Sequence, residues 1–178
     1  MIKNNLEKGY VQIYTGNGKG KTTAALGLTA RAVGNNFKVF FCQFMKGKDY
    51  GELKTLASFP TVKHERYGRG IFIRKKENVT DEDISLMRSG YESLKSALLS
   101  GEYDIIIADE IIGTLKFDLI SIDEIKFLIK NKPNHVELIL TGRNAPEELI
   151  ELADLVTEMR EVKHYFQKGV YARVGIEK

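Results

Sequence analysis

This 178-residue sequence has no tryptophan, a single cysteine, three histidines and no apolar run of membrane-spanning length. One cysteine excludes a disulfide within the chain. Its place in the run Val39-Phe40-Phe41-Cys42-Gln43-Phe44 predicts a buried structural thiol. The histidines stand at 64, 135 and 164, so no transition-metal ligand spacing exists. A histidine-based hydrolase triad finds no nucleophile-elbow sequence to support it. Without a signal peptide or a membrane-spanning run, a cytoplasmic location and no membrane partner are expected. The net charge of +3 suits anionic small molecules but is too small to argue for nucleic acid. No repeat and no low-complexity linker interrupts the chain. With 43% hydrophobic and 29% charged residues, it reads as one globular domain over residues 1–178.

What is present in strength is Thr15-Gly16-Asn17-Gly18-Lys19-Gly20-Lys21-Thr22-Thr23. It follows a short apolar run at 10–14 and opens a helical segment at 24–33, the context a phosphate-binding loop needs. Glycines let successive backbone N–H groups point at phosphate oxygens, and the following helix adds the positive end of its dipole. Lys21 is placed to reach the β/γ-phosphates, and the Thr22 hydroxyl to ligate Mg²⁺. Thr15 departs from the general pattern by standing where the first glycine belongs. The loop implies a nucleoside triphosphate without saying which chemistry.

Apolar runs alternate with helical patterns throughout, which predicts a P-loop α/β fold: a mostly parallel sheet with helices on both faces. Strands are expected at 10–14, 38–44, 62–66, 103–108, 136–141, 155–159 and 171–174. Runs such as Ile105-Ile106-Ile107 are apolar on consecutive residues, as in strands covered on both faces. Thr80 and Asp83 have capping-box spacing, ahead of Ile84, Met87, Tyr91, Leu94 and Leu98 at helical spacing, with Gly101 as the stop. Ser121 and Glu124 open a second helix whose Ile122, Ile125 and Ile129 share a face, and Pro133 ends that region. Asn144 is expected to cap a third, with Pro146 in its first turn. The stretch 45–79 is the least patterned and carries Lys46, Lys48, Arg66, Arg69, Arg74, Lys75 and Lys76. It reads equally as a substrate loop at the strand ends or as a solvated basic loop.

Ile105-Ile106-Ile107-Ala108-Asp109-Glu110 is an apolar strand ending in two carboxylates. Beside a phosphate loop, such an acid holds Mg²⁺ directly or through water. Which of Asp109 and Glu110 touches the ion stays open, because adjacent strand residues point to opposite faces and the chain turns at this point. Thr141-Gly142-Arg143 ends another strand. Arg143 either grips a phosphate or pairs at the surface with an acid such as Glu147. Arg31, on the helix after the loop, is the weaker candidate, since a solvated helical arginine explains it as well. The chain therefore offers triphosphate and metal handling without an obvious protein nucleophile.

These residues, taken together, resemble the ATP:corrinoid adenosyltransferases of the P-loop type, the cob(I)alamin or cob(I)yrinic acid a,c-diamide enzymes. The resemblance runs from the loop at 15–25 through Ala30-Arg31-Ala32-Val33-Gly34 and Gln43-Phe44-Met45-Lys46-Gly47. It continues at Asp109-Glu110, Thr141-Gly142-Arg143 and Leu152-Ala153-Asp154. It closes with Val162-Lys163-His164, Phe166, Gly169-Val170 and Gly175-Ile176-Glu177. Thr15 at the head of the loop is itself what this family looks like. The resemblance implies transfer of the 5′-deoxyadenosyl group of ATP to the cobalt of a reduced corrinoid, with triphosphate leaving. The nucleophile is then Co(I) in the substrate, and the protein needs none of its own.

The implied assignments follow. Lys21, Thr22 and Glu110 act in catalysis. Thr15, Gly16, Asn17, Gly18, Lys19, Gly20, Lys21, Thr22 and Thr23, with Arg31 and Arg143, bind nucleotide. Thr22, Asp109 and Glu110 hold Mg²⁺ or Mn²⁺. In this family the ATP runs in the opposite direction along the loop, so that C5′ faces the corrinoid. A homodimer and an electron-donor flavoprotein are also implied. One departure concerns the corrinoid side: the family's Gly-Phe-Thr-Trp segment is matched by Gly68-Arg69-Gly70-Ile71-Phe72-Ile73, in a chain without tryptophan. Ile71 and Ile73 then replace the two aromatics, and Phe72 partly compensates. The rival reading is a P-loop ATPase whose basic 46–76 region meets nucleic acid, and the mild net charge speaks against it. A third is an ATP-binding regulatory module without turnover.

Overall fold

A computed structural model describes residues 5–47, 51–71 and 73–177; Lys48 and Phe72 of the sequence reading lie outside the described residues. The strands are β1 (Val11–Thr15), β2 (Val39–Phe44), β3 (Val62–Tyr67), β4 (Ile105–Asp109), β5 (Glu137–Thr141) and β6 (Leu155–Glu158). Every pairing is parallel, and the order is β3-β2-β4-β5-β1-β6. The main helices are α1 (Lys21–Val33), α2 (Gly51–Ser58), α3 (Asp81–Ser100), α4 (Ile122–Asn131) and α5 (Glu147–Ile150). This is the expected P-loop α/β architecture.

The two-faced burial that made the strands legible separates two cores. Phe40, Cys42, Phe44, Ile106, Ala108, Leu138 and Leu140 pack with Met87, Tyr91 and Leu94 of α3 and Ile125 and Leu128 of α4. Val39, Phe41, Ile105, Ile107 and Ile139 face the other way, onto Ala25 and Ala32 of α1 and Leu56 of α2. Period-2 alternation therefore sends odd-numbered residues of β2, β4 and β5 toward α1. That parity decides where Gln43, Asp109 and Thr141 point. Cys42 is fully buried, as expected, and burial pushes its thiol pKa up.

Both capping boxes form, Thr80 with Asp83 and Ser121 with Glu124, and Gly101 closes α3 in the left-handed region at φ 66°. Asp83 does further work: its carboxylate accepts two bonds from Arg69, at 2.7 and 2.6 Å, which fastens the loop after β3 to the start of α3. Four expectations are corrected. Residues 171–174 form no strand, because no neighbour offers them a ladder. Asn144 does not cap α5; it sits at φ 55°, and Pro146 holds the cap position, after a residue that proline biases toward extended backbone. Helix α2 lies within the stretch that reads as unpatterned, because Leu56 is the one α2 residue it buries. Ile84 is 46% exposed, off the α3 core face. Among the described residues no helix is long and apolar enough to cross a membrane.

Candidate functional site

The chain leaves β1 at Thr15 and enters α1 at Lys21 through Gly16 (φ 95°) and Gly20 (φ 125°), conformations that favour glycine. The loop is braced from outside by the chain after β6. Gly18 N–H donates to Met159 O at 2.6 Å, and Met159 N–H donates to Thr15 O at 2.8 Å. A Cβ on Gly16 or Gly18 would fall 2.5 or 2.6 Å from Met159 O, so both positions need glycine for close approach. Thr15 has its own use: its Oγ1 accepts from Ala145 N–H at 3.0 Å and ties the loop to the segment after β5.

Lys21 is 8% exposed, and its Nζ donates to Gly16 O at 2.6 Å and Gly18 O at 2.9 Å. Burial lowers its pKa, opposed by Glu110 and Asp109 and reinforced by Arg143. The ammonium is thus held inside its own loop by carbonyls that phosphate oxygens can replace.

Asp109 is the hub of the floor. It is fully buried, and the register pairs it with Gln43 across β2 and β4. Its Oδ1 accepts from Thr22 Oγ1 at 2.9 Å and Thr141 Oγ1 at 2.7 Å. Its Oδ2 accepts from Gln43 Nε2 at 3.1 Å and from Lys46 Nζ at 3.0 Å. Gln43 Oε1 in turn meets His64 Nε2 at 3.0 Å. If that ring nitrogen carries the proton, the amide orientation is fixed and its NH₂ faces Asp109. Burial lowers the pKa of His64, and Arg66 lowers it further, which favours the neutral ring. Four side chains therefore converge on one carboxylate, from α1, β2, β5 and the loop after β2.

Glu110 follows in the left-handed region at φ 63°, uncommon for a residue with a Cβ. Its N–H donates to Thr141 Oγ1 at 2.8 Å, and its side chain turns to the cavity. Burial raises its pKa, Asp109 beside it raises it further, and Lys21, Lys46 and Arg143 oppose the rise. The turn after β4 therefore sends the adjacent acids to different places: Asp109 into the floor, Glu110 to the wall.

The cavity above this floor has a volume of about 650 Å³, within the usual range for small-molecule sites. Loop residues Asn17 to Thr23 form one side, with Lys46, Glu52, Glu110 and Arg143 opposite. Its rim is completed by Gly175, Ile176 and Glu177. Lys19 Nζ donates to Ile176 O at 3.3 Å and pairs with Glu177 at 3.4 Å. Glu177 also accepts from Arg173 and Tyr165, which hold its carboxyl well below the usual range.

Of the residues expected from sequence, Asn17, Gly18, Lys19, Gly20, Lys21, Thr22, Thr23, Glu110 and Arg143 line one cavity. Thr15 and Gly16 lie beneath the loop, and Asp109 reaches the floor through Thr22. Arg31 stands apart. It is exposed, ten residues beyond Lys21 and so about 15 Å along α1, outside the lining of the cavity. Gln43, Lys46 and Glu177, given no individual role above, also belong to the site, Lys46 from the basic stretch that reads as a candidate substrate loop. Gln43 carried a signal, an amide inside an otherwise apolar strand; the other two become visible only through tertiary contacts.

Among the described residues no group of three or more His, Cys, Asp or Glu could hold a metal ion. Mg²⁺ does not require one, since it keeps waters and substrate phosphates beside one or two protein oxygens. Thr22 Oγ1 and Asp109 supply hard oxygens 2.9 Å apart, and the Lys46 ammonium already sits against both. A cation position with that donor set fits Mg²⁺.

Phosphate loop, strand-end acid and parallel sheet together define a protein of the P-loop α/β class. The sequence pattern of the family described as ATP:corrinoid adenosyltransferase BtuR/CobO/CobP matches residues 7–177, and the chain belongs to that family. It is similar to the corrinoid adenosyltransferase of Escherichia coli strain K12, at 34% identity over 96% of this chain and 86% of that one. It is equally similar to the corrinoid adenosyltransferase CobA of Salmonella typhimurium, at 34% identity over 96% and 86%. The corrinoid adenosyltransferase of Pseudomonas aeruginosa matches at 33% identity over 96% and 84%. The chain is accordingly an enzyme that adenosylates corrinoids.

Proposed function

We propose that this enzyme transfers the 5′-deoxyadenosyl group of ATP to the Co(I) centre of a reduced corrinoid, releasing triphosphate, in coenzyme B12 synthesis or salvage. The observation that carries this reading is the cluster of Lys21, Thr22, Asp109 and Glu110 at one end of the cavity, each suited to stabilise charge or hold a cation. In the step, the cobalt electron pair forms the Co–C5′ bond. The C5′–O bond breaks with its electrons going to triphosphate, and Co(I) becomes formally Co(III). Such a displacement needs alignment and a sink for the leaving charge rather than a protein nucleophile.

Lys21 releases Gly16 O and Gly18 O and takes phosphate oxygens in their place. Amides of the loop and the N-terminus of α1 face the same charge. The Gly18 N–H is already engaged by Met159 O and serves to brace the loop. Thr22 and Asp109 would hold Mg²⁺, with Glu110 orienting its surroundings. When bound, Mg²⁺ neutralises triphosphate oxygens as the leaving charge grows. Arg143, exposed at the cavity wall, supplies a further cation. On the corrinoid side, Ile71 is 63% exposed and Ile73 packs partly on the core, an apolar wall suited to displacing water and the lower axial ligand. Reduction by a flavoprotein electron donor, a cytoplasmic location and a homodimer complete the reading.

The test is incubation with ATP, Mg²⁺ and a corrinoid under strong reductant. A light-sensitive adenosylcorrinoid with stoichiometric triphosphate is the expected result. Only ADP and phosphate, with turnover stimulated by DNA or RNA, overturns it in favour of a nucleic-acid ATPase.

A further inference from the structure

Asp83 serves two purposes with one carboxylate. Its Oδ2 accepts from Thr80 N–H and Thr80 Oγ1, both at 3.0 Å, which belongs to the capping box of α3. Its Oδ1 accepts from Arg69 Nε at 2.7 Å, and Oδ2 accepts from Arg69 Nη2 at 2.6 Å. This is the bidentate arrangement, in which a guanidinium fork fixes direction as well as distance. Asp83 is buried, and Arg69 more than any other neighbour holds its carboxyl below the usual carboxylate value. Glu82 stands by the same guanidinium at 3.9 Å. A capping box needs no arginine.

The fork is one of two contacts that seat the end of β3 on α3. Asp83 and Gly90, seven residues apart in the helix, lie on one stripe. Gly90 takes the Tyr67 ring, which a Cβ there would meet at 2.8 Å, and Asp83 takes Arg69. Between those contacts the chain is pressed onto the loop after β2. A Cβ on Gly68 would fall 2.7 Å from Lys46 N, and one on Gly47 would fall 2.0 Å from Gly70 N. The Lys46 side of this junction is also held from the cavity floor, by bonds to Asp109 and Thr22. The other side turns at Gly70, φ 75°, and leads to Ile71, which is 63% exposed. One exposed apolar side chain is ordinary on a surface. Here the backbone two residues earlier is fixed by a buried, two-pronged ion pair, at the edge of a cavity that Lys46 lines.

We propose that Arg69 is a positioning residue for the corrinoid: through Asp83 it fixes the backbone at 68–70 against Gly47 and so presents Ile71 to that substrate in one orientation. A free loop would have to be ordered by the corrinoid at the moment of binding, and that entropy would be lost from the affinity. The clamp removes the cost before the substrate arrives. Arg69 acts through Ile71 and leaves the triphosphate chemistry to the phosphate loop.

This inference rests on the reading of Ile71 as part of the corrinoid wall, and its test involves no turnover. The probe is hydroxocobalamin without reductant, in equilibrium dialysis with the protein loaded with ATP and Mg²⁺. Ile71→Ala is expected to bind it about fivefold more weakly than the parent. Arg69→Met is expected to lose about fivefold as well, and Arg69→Lys about twofold, since it keeps the charge without the fork. The double variant Ile71→Ala, Arg69→Met is expected to be no weaker than the weaker single, as when one residue acts through the other. ATP affinity by calorimetry is expected to stay within about twofold of the parent throughout. A merely structural ion pair would lower the urea midpoint of Arg69→Met and leave its corrinoid affinity unchanged. That result, in a protein that retains its fold by circular dichroism and beside a weakened Ile71→Ala, overturns the clamp and leaves the wall standing. Parent-like binding by Ile71→Ala overturns the wall and the inference with it. Additive losses in the double variant, or equal losses for ATP and corrinoid, overturn the route through Ile71.

Discussion

Gln43, Asp109 and Thr141 reach the cavity floor from three adjacent strands and are fully buried, whereas Ile176 and Glu177 reach its rim from a segment that keeps its large apolar side chains in water. The floor is held by the sheet register, by hydrogen bonds across β2, β4 and β5, and by packing on both faces. The rim is held by a small knot of Lys19, Tyr165, Arg173 and Glu177, beyond an edge strand whose four residues are all exposed. Phe166 at 64% and Val174 at 85% exposure show how little of the rim is anchored in a core. The difference separates two tasks. Charge chemistry is placed where opening requires global unfolding, and access is placed where opening is local.

The largest test of that contrast lies at the floor. Lys21→Ala and Thr22→Ala are each expected to lower kcat for adenosyl transfer by about 10²–10³-fold with the fold intact, and activity retained in both would remove the loop from the mechanism. Next, Gln43→Leu takes one donor from Asp109 and the Nε2 partner from His64 in the interior. It is expected to cost about 1–3 kcal/mol, read as a lowered urea midpoint, besides lowering activity. At the rim the effect is smaller and of another kind. Glu177→Ala is expected to raise the KM for ATP about threefold while leaving kcat and the melting temperature near the parent values. Loss of stability there would mean that the rim belongs to the cooperative core.

The smallest effect is expected away from the cavity, where Arg88 and Ser121 hold the Glu124 carboxyl down to about 2. Its value is near 4.3 in an unfolded chain. A depressed carboxyl contributes stability above that value and loses it as pH falls toward the folded value. Glu124→Gln is therefore expected to cost under about 1 kcal/mol at neutral pH, since the pair is partly exposed and screened by solvent. The gap from the parent is expected to close between about pH 4 and pH 2 in urea titrations.

Much of the fold was legible because its strands are apolar on consecutive residues and its two longest capped helices announce themselves with boxes at Thr80 and Ser121. The same logic misled at 171–174, where Tyr171 and Val174 imitate a strand but find no neighbour. At Asn144 the signal of a capping residue lost to the backbone geometry imposed by Pro146. In the site, Lys21, Thr22 and Asp109 were legible because a phosphate loop and a strand-end acid are local patterns. The different directions of the Asp109 and Glu110 side chains were not, since they depend on a turn at φ 63° that only the packed structure fixes. Gln43, Lys46 and Glu177 owe their positions to partners far away in sequence, across a ladder, a loop pair and the far end of the chain.

The register of β1 carries a consequence for biosynthesis. Its neighbours are β5 and β6, and Val11 N–H donates to the carboxylate of Asp154, 143 positions later. The phosphate loop is thus translated well before the strands and the brace that wall it. Until β5, β6 and Met159 have been translated, β1 lacks both its neighbouring strands and Gly16 and Gly18 lack the brace behind them. A translation product interrupted before β5 therefore carries the nucleotide motif in full but not the sheet neighbours and brace that set its shape.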